Sequence, residues 1–245
     1  MAQKGRRERL EFTVAAIQKR WGPRAMHKAR EAPPPPVCPT GFAALDETLG
    51  LGGLPQGRFT ELIGCGTAGQ FSVAASTLAQ AQRLGQQVAY VDAWATVDVE
   101  ALVRWGVRLD ALVILRPRGF THALAMTGDL VRTRGVGTVV FDRLHDLSLL
   151  ADGEASRALD QALRDWAPRL DRSLGTFLFL TETTSPGLYP DGLPLPYFAS
   201  IRLLFARQEW LRRGKKVTGF ASEVTILKNK LGPAGKGVRL TFPLA

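Results

Sequence analysis

The chain has 245 residues, enough for one α/β domain or two small ones, and its 45% hydrophobic and 22% charged content excludes wholesale disorder. No apolar run reaches the roughly 18 residues of a membrane span, the basic start MAQKGRRERLEF lacks the apolar stretch of a secretory signal, and Cys38 and Cys65 cannot build a disulfide framework. His27, His122 and His145 have no metal-ligand spacing, so no structural metal site is expected; no cofactor is expected either, and the two cysteines fit a reducing cytoplasm.

The net charge of +10 is unevenly spread. Residues 1–31 carry +6 and residues 202–239 carry +8, which leaves the rest mildly acidic. Basic ends around an acidic middle point to an anionic partner, either nucleic acid or an acidic protein surface.

In chain order, Leu10, Val14, Ile17 and Trp21 recur at helical spacing and predict an amphipathic helix over 8–21, stopped by Gly22-Pro23. Pro33 to Pro36 then form a stiff spacer. The apolar face must be covered by its own core, by another copy or by a partner. The predicted domains are therefore an arm over 1–36 and a core over 37–245.

Within the core, RFTELIG (58–64), QVAYVD (87–92), ALVIL (111–115), GTVVFD (137–142) and GTFLFLT (175–181) are short β-rich runs. Helical stretches at about 70–84, 97–106, 119–134 and 154–173 lie between them. This alternation predicts an α/β fold with a parallel sheet covered on both faces. SIRLLFA (200–206), SEVTILKN (222–229) and GVRLTF (237–242) follow without helices and are expected as antiparallel strands at one edge.

The first strand runs into Gly64-Cys65-Gly66-Thr67-Ala68-Gly69-Gln70-Phe71 and then a helix, the arrangement of a phosphate-binding loop. Gly64 and Gly69 meet the pattern GxxxxGK[ST], but Gln70 replaces its lysine and Phe71 its metal-binding hydroxyl. Neither side chain can do the work of the residue it replaces.

With these motifs in view, the chain resembles a bacterial RecA-type recombinase core over nearly its whole length. The likeness is carried by PTGFAALDETLGLGGLPQGRFTELIG (39–64), VAYVDAWATVD (88–98), LVRWGVRLDALVILRP (102–117) and GTVVFDRLHDL (137–147). YFASIRLLFARQEW (197–210) and VTILKNKLGPAGKGVRLTF (224–242) continue it. The resemblance implies a RecA-like P-loop core with a mostly parallel twisted sheet, antiparallel edge strands, helices on both faces and an N-terminal helical arm. The family's separate C-terminal domain is expected to be absent.

The resemblance also implies roles by position. Asp142 matches the family's metal-binding aspartate. Trp94 stands where the family has the glutamate that positions the attacking water, Ala101 where it has an adenine-stacking tyrosine, and Glu182 where it has a γ-phosphate-sensing glutamine. The expectation is an ATPase pocket reduced to a remnant: Gly64, Gly66, Gly69, Gln70, Phe71, Trp94 and Asp142. Such a chain is expected not to be an enzyme, and Phe71 and Trp94 are expected to fill the cleft.

The family's DNA-binding loops fall at about 149–157 and 183–197. From Thr183 to Gly192 the second has no Lys or Arg and one ring, Tyr189. Arg207, Arg212, Arg213, Lys215 and Lys216 make a better candidate for nucleic-acid contact. The arm residues Leu10, Val14, Ile17 and Trp21, with Lys228 and Lys230, match family features at the boundary between subunits. A degenerate core of this kind resembles the ImuA-type accessory proteins of SOS mutagenesis and, more remotely, the SulA-type division inhibitors. The implied function is that of an adaptor in the DNA-damage response that binds RecA, translesion-polymerase accessory proteins or its own copies. The alternatives are a single-stranded DNA-binding recombination mediator and a residual slow ATPase.

Overall fold

The computed structural model describes residues 2–23, 26, 34–144, 153–183, 189 and 193–244. The chain forms two compact units, Met1–Pro35 and Pro36–Ala245.

In the first unit, helix α1 (Ala2–Trp21) begins six residues before the stretch that periodicity predicts. It ends at Gly22, whose φ of +96° suits only glycine and whose N–H donates to the Gln18 carbonyl. Val14 and Ile17 are half-buried, while Leu10 and Trp21 are 51% and 68% exposed. Phe12 is 78% exposed and lies about 200° around the helix from Leu10, so the apolar surface is not one clean stripe.

The second unit opens with two short strands, β1 (Val37–Cys38) and β2 (Leu54–Pro55), paired antiparallel around α2 (Ala43–Leu49). Then come β3 (Arg58–Gly64), α3 (Gln70–Arg83), β4 (Val88–Asp92), α4 (Val99–Arg104), β5 (Leu112–Leu115), α5 (Phe120–Thr133) and β6 (Thr138–Leu144). The chain continues through α6 (Gly153–Ser173), β7 (Thr176–Glu182), α7 (Leu195–Phe198), β8 (Ile201–Arg213), β9 (Lys216–Asn229) and β10 (Gly237–Pro243).

The eight-stranded sheet has the order β10-β9-β8-β3-β7-β6-β4-β5. From β8 to β5 all neighbours are parallel, and only the β8–β9 and β9–β10 pairs are antiparallel. The expectation that β8 begins the antiparallel edge is thus corrected. It adds parallel to β3 and then turns back as a hairpin.

Strand alternation builds two cores. In β7, Phe177 and Phe179 face one side and Leu178 and Leu180 the other, as a period of two requires. One core packs against α3, through Val73, Ala74 and Leu78. The other packs against α6, whose buried Leu159, Leu163, Trp166 and Leu170 recur at i, i+4, i+7 and i+11. Covering both faces explains why the strands read as nearly continuous apolar runs. It also leaves the C-terminal strand ends as the place where loops can form a crevice.

Candidate functional site

The strand ends surround a cavity of about 470 Å³, lined by the loop Gly66–Gly69, by Gln70 and Phe71 of α3, and by Asp142, Arg143 and Glu182. Ala101, Arg104 and Trp105 on and after α4 form another wall. This corrects the expectation of a filled cleft. Phe71 does line it, but Trp94 stands outside it, 45% exposed, with its indole N–H donating to the Arg143 carbonyl at 3.0 Å. That hydrogen bond ties the indole to the backbone after Asp142 rather than to the cavity lining.

The loop is shaped by glycine at two points. Gly69 has φ +105°, and a side chain there would meet the Phe242 ring at 2.4 Å. At Gly64, a Cβ would meet the head group of Gln70 at 2.6 Å. The Gln70 carboxamide is thus folded into the loop, with Nε2 donating to the Gly66 carbonyl at 2.9 Å. Its Oε1 is buried without a hydrogen-bond partner.

Asp142 ends in a tight contact with Tyr90, whose hydroxyl donates to Oδ2 at 2.5 Å. Burial raises the Asp142 carboxyl above its ordinary value, with Asp92 and Glu182 pushing the same way and Tyr90 and Arg143 pulling against them. The folded chain therefore holds this proton more tightly than the unfolded chain. The stability it contributes is full below the unfolded pKa of about 3.9 and is lost as pH rises through the higher folded value. Asp142→Asn is expected to become progressively more favourable relative to the parent from about pH 4 to pH 7. Urea midpoints across that range check this, and parallel pH profiles would contradict it.

Magnesium and ATP are what the RecA resemblance implies for such a cleft. The donor set does not fit the metal. Phe71 has no oxygen, Asp142 is engaged by Tyr90, and the described residues contain no cluster of three or more His, Cys, Asp or Glu that could hold one. A nucleotide fits better, since the volume suffices and backbone N–H groups at the start of α3 need no side chain.

Glu182 does not face the cleft as a bare charge. Arg143 Nη1 donates to its Oε2 at 2.6 Å. Sequence reasoning passed over Arg143, because the only signal was a basic residue directly after the aspartate of β6.

The other predicted residues separate. Arg207 leaves its group: it donates to the Thr67 carbonyl at 3.0 Å and lies 4.4 Å over the Trp210 ring. Arg212, Arg213, Lys215 and Lys216 stay together and exposed at the turn of the β8–β9 hairpin. Residues 153–157 of the first expected DNA loop are the start of α6, and 149–152 lie outside the described residues. Most of the second expected loop also lies outside them. Its Tyr189 is packed inward, with its hydroxyl donating to Glu61 Oε1 at 2.7 Å, so it is not a free platform for a base. No helix among the described residues is long and apolar enough to cross a membrane.

The sequence matches the RecA N-terminal domain family over residues 8–242. It is 33% identical to Protein RecA of Streptomyces avermitilis over 256 aligned positions, covering 96% of this chain and 68% of that one. It is 32% identical to Protein RecA of Symbiobacterium thermophilum, covering 93% of this chain and 71% of that one. The family named by the resemblance is one of ATPases. These matches point to an enzyme and overturn the expectation that the chain is not one. The cleft is open, with Gln70, Phe71, Ala101 and Glu182 among its lining residues.

Proposed function

The chain belongs to the RecA family, and from that premise we propose that it serves DNA recombination and repair by joining RecA-type protomers at the boundary between subunits. In its finer form it is an ImuA-like accessory protein of SOS mutagenesis, in contact with RecA or with translesion-polymerase accessory proteins.

The observation that carries this reading is the surface around Tyr197, which is 73% exposed. Lys228 Nζ donates to the Pro196 carbonyl at 2.5 Å, and Lys230 Nζ donates to the Tyr197 carbonyl at 3.2 Å. Leu227 and Leu231 beside them are 45% and 38% exposed. Burial, with Lys230 and Arg202 nearby, depresses the Lys228 ammonium pKa. An anionic group from a neighbouring protomer would relieve that repulsion. The exposed Leu10, Phe12 and Trp21 of α1 offer a second, apolar contact.

Trp21→Ala is expected to weaken association with RecA, or with a second copy, by about 2 kcal/mol while leaving the core melting curve unchanged. Pulldown and sedimentation of the full chain with RecA check this. Undiminished association together with a lowered melting temperature would sink it.

A second reading rests on the basic hairpin turn. Gly214 at φ +62° begins a two-residue turn that brings Arg212, Arg213, Lys215 and Lys216 to one exposed tip. It is favoured if single-stranded DNA binds with a steep salt dependence that is lost when these four are neutralised.

A further inference from the structure

Two departures from the family pattern, Trp94 and Glu182, meet at one residue, Arg143. Arg143 follows Asp142 at the end of β6, and its guanidinium lines the cleft. Glu182 accepts from its Nη1 at 2.6 Å, and Asp142 Oδ1 stands 3.9 Å from its Nε. Trp94 braces its backbone by donating to the Arg143 carbonyl at 3.0 Å. On the facing side, Gln70 has removed the cation that a phosphate loop ordinarily carries.

Two further observations point to an anionic ligand between these walls. The fourteen-residue helix α3 directs its N-terminus at the cleft. Within the loop, Gln70 is 9% exposed, and its Oε1 has no hydrogen-bond partner among the described residues. An unpaired buried acceptor is costly, so turning the carboxamide out of the loop relieves it and clears the backbone N–H groups.

We infer that this cleft takes a nucleoside di- or triphosphate without a divalent cation, with Arg143 supplying the positive charge that the loop lacks. A guanidinium binds phosphate through two parallel N–H donors, and phosphate offers it a stronger partner than one carboxylate. Glu182 is then the ligand's competitor for Arg143. Trp105 and Phe220 also line the cavity and add aromatic surface to it.

The test is calorimetric titration of the full chain with ADP and with ATP, in EDTA and in excess Mg²⁺. The affinity is expected to agree within about twofold between the two buffers. Arg143→Gln is expected to weaken binding about tenfold or more, the scale of one charged hydrogen bond. Arg143→Lys should recover part of this. Glu182→Gln is expected to act with the opposite sign and tighten binding, which a merely structural role for the pair would not produce. If Arg143→Gln does not fold, Glu182→Gln alone decides. Binding that needs Mg²⁺, that ignores both substitutions or that is absent overturns the inference. Because the readout is nucleotide affinity of the isolated chain, its failure leaves the association with RecA untouched, and the reverse also holds.

Discussion

Glu61→Leu is expected to destabilise the core by about 3–5 kcal/mol, because it strands a buried cation. Glu61 is fully buried, and Arg202 Nε donates to its Oε2 at 2.6 Å. Its Oε1 accepts from Thr181 at 2.9 Å and from Tyr189 at 2.7 Å. The Arg202 side chain is 15% exposed and lies 4.5 Å over the Tyr189 ring, so water cannot replace the lost carboxylate in full. A double variant Glu61→Leu, Arg202→Met should regain much of the loss, since a well-packed apolar pair replaces an ion pair at little cost. Urea denaturation of the parent, both single variants and the double variant measures this. A loss below about 1 kcal/mol for Glu61→Leu would mean that Arg202 finds solvent, and the buried network would not be the anchor of Tyr189.

Gly69→Ala is expected to cost about 2–5 kcal/mol and to abolish ligand binding in the cleft. Two penalties add there. A residue other than glycine at φ +105° is strained. The new methyl would also lie 2.4 Å from the Phe242 ring. Phe242 cannot retreat. It is fully buried, stacked on Phe220 at 5.0 Å and packed against Phe42 at 5.4 Å. Gly66→Ala, with φ +57° and nothing within 4 Å, should cost less, from backbone strain alone. Thermal melts of the two variants check the order. Equal losses would show that the Phe242 contact is not what fixes the loop.

The sequence by itself determined the parallel sheet, the helices between its strands and the position of the phosphate loop. The five strands read as apolar runs fall within about two residues of their observed bounds, because burial on both faces leaves little room for polar residues. The helical stretch expected at about 154–173 is α6, whose Leu159, Leu163, Trp166 and Leu170 all face one core. Two longer strands were underread. β8 and β9 were expected to stop at 206 and start at 222, yet they run to Arg213 and from Lys216. The outer half of β8 is charged and largely exposed, and ladder hydrogen bonds between backbones need no apolar side chain, whereas Gly219, Phe220 and Ala221 of β9 are buried against it without an alternating pattern to mark them.

Only the tertiary structure decided what the cleft is made of. Whether Trp94 fills it depended on the acceptor for its indole N–H, and that acceptor is a backbone carbonyl 49 residues away in sequence. Whether Glu182 repels an anion depended on Arg143, 39 residues away, which the parallel pairing of β6 with β7 brings within a hydrogen bond. Arg207 left its basic neighbours because the start of the hairpin lies beside the Thr67 carbonyl. Periodicity reports which face of an element is buried. It carries no information about which polar group on one strand end meets which on the next, because that is set by strand order and register.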